Sequence, residues 1–250
     1  MKTLKITLLL IAFIMLSPFK MMAQNQMLAI HEDRVKPAME AEYEKVCKDL
    51  VEACKKYDLQ NSDWRTIRIN DGTYLHVAAI KNMAELDVNT FGPLSEKMGK
   101  ENFSALFNRF NNCYDQHGDY IVIRRNDLSY QPATASTEVQ NFLKYHFFYV
   151  TPENAQKLVA KMKEIKELFT KKGAKEYYNI YHSGFGTMSE FYVVVLSAKD
   201  EQSYEKLSDE NNALLGDEWK TKFNELYILT DKYEQKSGYV RPELGYIAKK

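Results

Sequence analysis

The chain has 250 residues, in which 34 lysines and arginines balance 34 aspartates and glutamates. That balance gives no electrostatic reason to bind nucleic acid or anionic lipid. Three cysteines are too few for a disulfide-stapled scaffold.

Lys2 and Lys5 make a basic opening, Ile6 to Leu16 is an apolar run broken only by Thr7, and Ala23 precedes Gln24. This pattern is that of a secretory signal peptide over residues 1–23. The run is shorter than the roughly 20 residues of a membrane span, and Pro18 and Lys20 follow it closely. The expectation is an exported protein, periplasmic or secreted, with no stable membrane insertion and, once the basic leader is removed, a slightly acidic surface.

Leu28 to Arg34 then reads as a strand, and Pro37 opens a helix on which Met39, Tyr43, Val46, Cys47, Leu50, Val51, Cys54 and Tyr57 recur at steps of three and four. Cys47 and Cys54 stand about 10 Å apart along that helix, beyond the ~7 Å reach of a disulfide. Either could meet Cys113, and the bland reading makes all three small buried hydrophobes. Trp64 to Ile69 and Thr73 to Ile80 form a hairpin about Asn70-Asp71-Gly72. Phe103, Leu106, Phe107, Phe110, Cys113 and Tyr114 mark a second helix, ended by Gly118, and Tyr120 to Arg124 a fourth strand.

Residues 126–141, rich in Ser, Thr, Ala, Gln and Asn, read as a linker. Beyond it come a strand from Leu143 to Val150 and a helix carrying Ala155, Leu158, Val159, Met162, Ile165 and Phe169. The strands Glu176 to His182 and Glu190 to Leu196 flank Gly184-Phe185-Gly186. A helix bears Trp219, Phe223, Leu226 and Tyr233, and a last strand follows Gly238, interrupted by Pro242. Leu28, His31, Val35 and Pro37 lie over Leu143, His146, Val150 and Pro152 at a constant offset of 115. The chain therefore reads as two copies of one unit, residues 24–125 and 142–250.

Each unit has the order β-α-β-β-α-β, the split βαβ motif. The fold class is α+β: two tandem ferredoxin-like repeats whose sheets pack through their open faces into a barrel with helices outside. In element order and repeat length the chain resembles the dimeric α/β-barrel superfamily, which includes antibiotic-biosynthesis-type monooxygenases, haem-degrading monooxygenases, chlorite-dismutase-like haem proteins and stress-responsive barrels. The resemblance implies a cavity between or beside the sheets. It does not choose a chemistry.

For chemistry, His31 and His146 hold equivalent places on the first strand of each unit, opposite the Leu28 and Ile30 side. With helices on the Leu-Ile side, both imidazoles point into the inter-sheet space, and Asp33, two residues from His31, raises its pKa. His31, Trp64, Arg68 and His76 are the catalytic candidates, a grouping that suits an oxygenase holding an electron-rich substrate. His146, Tyr178, His182 and Tyr192 are the ligand-binding candidates, because tyrosines offer flat faces with a polar tip. Ordinary core packing explains every one of these residues equally well.

No metal is expected. There is no His-x-x-x-His pair, and Glu32 points away from His31 and Asp33, which leaves open only a mixed site assembled from several strands. Haem is a cofactor the resemblance allows, with His146 or His31 as axial ligand and Arg68 or Arg124 above the plane. The functional expectation is a small aromatic or apolar ligand in the inter-sheet cavity. An oxygenase, cofactor-independent or haem-dependent, and a non-enzymatic interaction module are the alternatives, and pairing into a homodimer stays open.

Overall fold

The computed structural model describes residues 25–132 and 139–249, so the expected signal peptide and residues 133–138 of the expected linker lie outside the described residues. The N-terminal half runs β1 (Met27–Val35), α1 (Glu40–Lys56), β2 (Arg65–Ile69), β3 (Thr73–Ile80), α2 (Gly92–Met98), α3 (Lys100–Phe110) and β4 (Tyr114–Arg124). The C-terminal half runs β5 (Phe142–Tyr149), α4 (Pro152–Lys172), β6 (Tyr178–Ser183), β7 (Phe191–Ala198), α5 (Glu201–Ile228) and β8 (Lys232–Val240).

α1 forms because its apolar residues recur along one face while Glu40 and Glu42 lie in its first turn and Lys55 and Lys56 in its last, each sign favouring its end of the helix dipole. Pro37 begins a short 3-10 turn ahead of it. Two strands differ from the sequence reading in the same way. β4 begins at Tyr114, four residues before Gly118, and β8 holds Tyr233 and stops before Pro242. In both places an aromatic continues the helical spacing after the chain has turned: Cys113 N–H closes on the Phe110 carbonyl at 2.8 Å, and Cys113 O accepts from Lys36 N–H at 2.9 Å.

The strands close into one barrel in the order β1-β3-β2-β8-β5-β7-β6-β4. The halves meet at two short seams. At β2–β8, Ile67, Arg68 and Ile69 face Val240, Tyr239 and Gly238, and at β4–β6, Val122, Ile123 and Arg124 face Ser183, His182 and Tyr181. The order of elements and the closed barrel agree with the fold class read from the sequence.

The two sides of β1 and β5 fall opposite to expectation. Leu28, Ile30, Ile67, Ile69, Leu75, Val77, Tyr120, Val122, Leu143, Tyr145, Phe147, Tyr181 and Val193 meet one another in the lumen. An eight-stranded barrel is just wide enough for side chains to fill it, so the Leu-Ile side of β1 belongs to the lumen and not to the helices. His31 and His146 accordingly face the helix layer. There α4 and α5 pack on β5 to β7 around Phe148, Leu158, Met162, Phe169 and Tyr192, while α1 packs on β1 and β3 around Val35, Tyr43, Cys47 and Tyr74.

Cys47, Cys54 and Cys113 are free and buried, and burial pushes the Cys47 thiol up to about 12, which leaves it unreactive. Among the described residues no helix is long and apolar enough to cross a membrane.

The β2–β8 seam is sensitive to a single methyl. A Cβ on Gly238 would stand 2.6 Å from the Arg68 carbonyl oxygen and 3.0 Å from Ile69 Cδ1, whereas one on Gly118 would meet nothing within 4 Å. Gly238→Ala is expected to cost about 1–3 kcal/mol and Gly118→Ala to be neutral or stabilising by about 0.5–1 kcal/mol, measured by urea unfolding. Equal costs would mean that the seam yields freely.

Candidate functional site

On the helix-facing side of the N-terminal half, strand register sets polar residues in two rows. One row reads Asp119 (β4), His31 (β1), His76 (β3) and Thr66 (β2). The next reads His117 (β4), Asp33 (β1), Tyr74 (β3) and Arg68 (β2). Tyr43, at the head of the apolar stripe of α1, is fully buried and drops its hydroxyl between the rows.

That hydroxyl donates to Asp33 Oδ2 at 2.6 Å and lies 2.7 Å from His76 Nε2. His76 Nδ1 is 3.0 Å from Thr66 Oγ1, which donates to the Leu244 carbonyl at 2.8 Å. His31 Nδ1 is 2.8 Å from Asp119 Oδ1, and its Nε2 stands 3.2 Å from Asp33 Oδ1, off the line of a hydrogen bond. The cluster thus grades from solvent to core: side-chain exposure is 80% at Asp119, 37% at His31, 18% at His76 and 5% at Asp33.

The electrostatics follow from that gradient. The Asp33 carboxylate pushes His31 up to about 9, against desolvation and with help from Asp119, so His31 is a cation at neutral pH. Burial pushes His76 down to about 4, with the His31 charge adding to the effect against the attraction of Asp33. Burial alone would raise Asp33, but the His31 imidazolium beside it and the hydrogen bond from Tyr43 outweigh it and hold the carboxyl below its usual range.

A neutral His76 has one N–H to give, yet both its nitrogens face hydroxyls whose own protons point elsewhere, to Asp33 and to Leu244. The chain Asp33–Tyr43–His76–Thr66 is therefore one proton short of satisfying every contact. One hydroxyl must turn whenever the proton on His76 changes sides.

Of the four catalytic candidates, the structure brings together His31 and His76. Trp64 packs against Phe91 and Tyr246, and its Nε1 donates to the same Leu244 carbonyl that Thr66 uses. Arg68 pairs with Glu40 of α1, and Tyr74 hydroxyl, Glu44 and Arg241 extend that ion-pair network away from His76.

The four ligand-binding candidates do not all converge. His146 Nδ1 bonds Tyr233 hydroxyl at 2.6 Å, burial pushes its pKa down to about 4, and its row reads Gln235, His146, Val194 and Ile180. Tyr178 packs edge-on to Phe169 inside the core, while Tyr192 stacks on His182 at 4.3 Å and His182 pairs with Glu190 at 3.0 Å. The polar rows exist in one half only.

Tyr43, Thr66, His117 and Asp119 escaped the sequence reading. By spacing Tyr43 belongs to the apolar stripe, and a helix ending at Gly118 hides the strand alternation of His117 and Asp119, which mirrors that of His31 and Asp33. Recognising Tyr114 to Arg124 as a strand shows it.

The fold is a ferredoxin-like α/β barrel. It is shared with an anthrone oxidase-like protein (9% identity, 88% of this chain and 92% of that one, TM-score 0.55) and a candidate monooxygenase from Fusobacterium nucleatum (13% identity, 88% and 94%, TM-score 0.52). A chlorite dismutase variant from Candidatus Nitrospira defluvii has it too (8% identity, 88% and 93%, TM-score 0.52). No protein-family model and no curated protein sequence matches the chain.

Haem does not fit the candidates named for it. His146 is tied to Tyr233, and the helix layer beside it is filled by Phe148, Phe223 and Tyr233 in mutual ring contact. Arg68 is held by Glu40, and the Arg124 guanidinium donates to Asn179 at 2.7 Å. His31 Nδ1 is held by Asp119, and its Nε2 stands 3.2 Å from the buried Asp33 carboxylate, whose place a porphyrin face would have to take.

Proposed function

We propose that the chain is an exported enzyme of the oxidase or monooxygenase kind, which takes a small aromatic molecule at the helix-facing side of its N-terminal half and removes a proton from it at His76. The single observation that carries this reading is the shared hydroxyl of Tyr43, set between the Asp33 carboxylate and the His76 imidazole. A buried polar chain in a core position is costly unless fully satisfied, and this one lacks a proton that a C–H-acidic substrate would supply.

His76 is the acceptor, since of the groups Asp33, Tyr43, His76 and Thr66 it is the one with a ring nitrogen free of a committed donor. Tyr43 and Thr66 hold the ring and rotate their hydroxyls as the proton arrives, and the Asp33 carboxylate, 3.8 Å from His76 Nε2, stabilises the imidazolium that forms. A substrate carbanion so produced can reduce dioxygen without any cofactor. The fold is also that of an anthrone oxidase-like protein, which makes anthrone the probe of choice: anthrone and dioxygen give anthraquinone and water.

Oxygen uptake with anthrone tests the reading. The protein is expected to exceed the buffer rate, His76→Ala to lower the excess by at least about 100-fold while retaining its circular dichroism, and His182→Ala in the other half to leave it unchanged. A rate no higher than buffer, or one indifferent to His76, would sink the assignment.

A further inference from the structure

The β1–β4 edge of the same face carries a second arrangement. His31 and Asp33 lie directly across from Asp119 and His117, a checkerboard of two imidazoles and two carboxylates. One ligand atom each from His31, Asp33 and His117 can be chosen so that all lie within 4.8 Å of one another.

We propose that His31 Nε2, Asp33 Oδ1 and an imidazole nitrogen of His117 form a binding site for a divalent first-row transition-metal ion. Three observations converge on it. Asp33 Oδ1 is buried without a hydrogen-bond partner, although the other oxygen of the same carboxylate is held by Tyr43. A buried carboxylate oxygen without a hydrogen bond is expensive; the protonated His31 Nε2 at 3.2 Å offers it only an ion pair, and a metal ion that displaces that proton would be held by both atoms. His31 donates through Nδ1 to Asp119 at 2.8 Å, which leaves Nε2 turned toward Asp33 Oδ1 at 3.2 Å. A carboxylate behind one ring nitrogen and a ligand position at the other is the arrangement that orients metal-binding histidines. The His117 ring makes no hydrogen bond among the described residues. It is exposed, with its ring edge-on to His31 at 5.6 Å, so it can close the remaining distance to the ~2.0–2.2 Å bonds of a nitrogen and oxygen donor set.

Two imidazoles and one carboxylate suit zinc, cobalt or ferrous iron and not calcium or magnesium, which take oxygen ligands. Three ligands from one sheet surface leave the solvent side open for water or another molecule. Tyr43 then acts from behind, fixing the carboxylate. This site stands independently of the proposed oxidation, because its observations and its readout concern binding alone.

The test is titration of the chelator-stripped protein with cobalt(II), followed by displacement with zinc(II). One equivalent with a visible cobalt spectrum is expected. His117→Ala and Asp119→Asn should each weaken zinc binding about 10–100-fold, while His182→Ala has no effect. An absent spectrum, or one that His117→Ala and Asp119→Asn leave intact, overturns the site. Because His76→Ala removes no ligand, a variant that binds cobalt normally yet fails to consume oxygen separates the two proposals, as does the converse result with His117→Ala.

Discussion

Tyr43→Phe is expected to destabilise the protein by about 2–4 kcal/mol, at the upper end of what losing one hydroxyl does. Removing a hydrogen-bond partner from a buried group costs about 1–3 kcal/mol, and more where the group is charged. This hydroxyl serves two such groups at once, the Asp33 carboxylate at 2.6 Å and the His76 ring at 2.7 Å. Tyr43 is fully buried, so no water replaces the lost oxygen unless the helix shifts. The ring itself stays, and with it the contacts to Tyr74 at 4.7 Å and Phe110 at 5.5 Å, so apolar packing is conserved and the loss reports on the polar network. Chemical denaturation against Tyr227→Phe, whose parent residue is half exposed, checks it. A loss below about 0.5 kcal/mol, the usual range of surface substitutions, would show that the network is hydrated and carries no special chemistry.

Glu176→Gln is expected to stabilise the protein above neutral pH by about 3 kcal/mol. Glu176 is buried against α5, where Asn211 Nδ2 donates to its Oε2 at 3.2 Å. The remaining oxygens of the pair, Glu176 Oε1 and Asn211 Oδ1, are both buried without a donor. A proton on the carboxyl supplies one.

Burial pushes Glu176 up to about 7 from an ordinary 4.5, against the hydrogen bond from Asn211. The titratable groups acting on it, Tyr178 and Tyr204, are themselves raised by burial, Tyr204 to about 12, and stay neutral throughout this range. The folded chain therefore binds this proton more tightly than the unfolded chain. Stability from this group is full below about pH 4.5, falls as pH rises toward 7, and stays low beyond it. At about 1.4 kcal/mol per pH unit, the amide removes a penalty of about 3 kcal/mol at pH 8 and none at pH 4. Thermal or urea unfolding of both chains from pH 4 to 8 reads the difference. Parallel pH profiles would mean that Glu176 is ionised and solvated in the folded chain.

Much of the architecture follows from local pattern. Pro37 stands just ahead of one long helix and Pro152 opens another, Asn70-Asp71-Gly72 turns a hairpin, and the period-two and period-3.6 stretches alternate in the order that closes a barrel. The pairing of Asp33 with His31 was equally visible, because residues two apart on a strand share a face. The misplaced ends, at Gly118 and Tyr233, fall where an aromatic keeps helical spacing across a turn, and there periodicity cannot distinguish the last turn of a helix from the first residues of a strand.

The amino-acid sequence by itself determined the elements, their order and the division of each strand into two sides. Only the tertiary structure decided which side faces what, since one side of the strands fills the lumen while helices cover much of the other, and apolar content no longer marks the helix-facing one. It also decided the site. Asp119, His31, His76 and Thr66 are scattered over more than fifty residues, and only the register of four strands sets them in one row, with Tyr43 delivered from a helix whose own pattern gave it to the core.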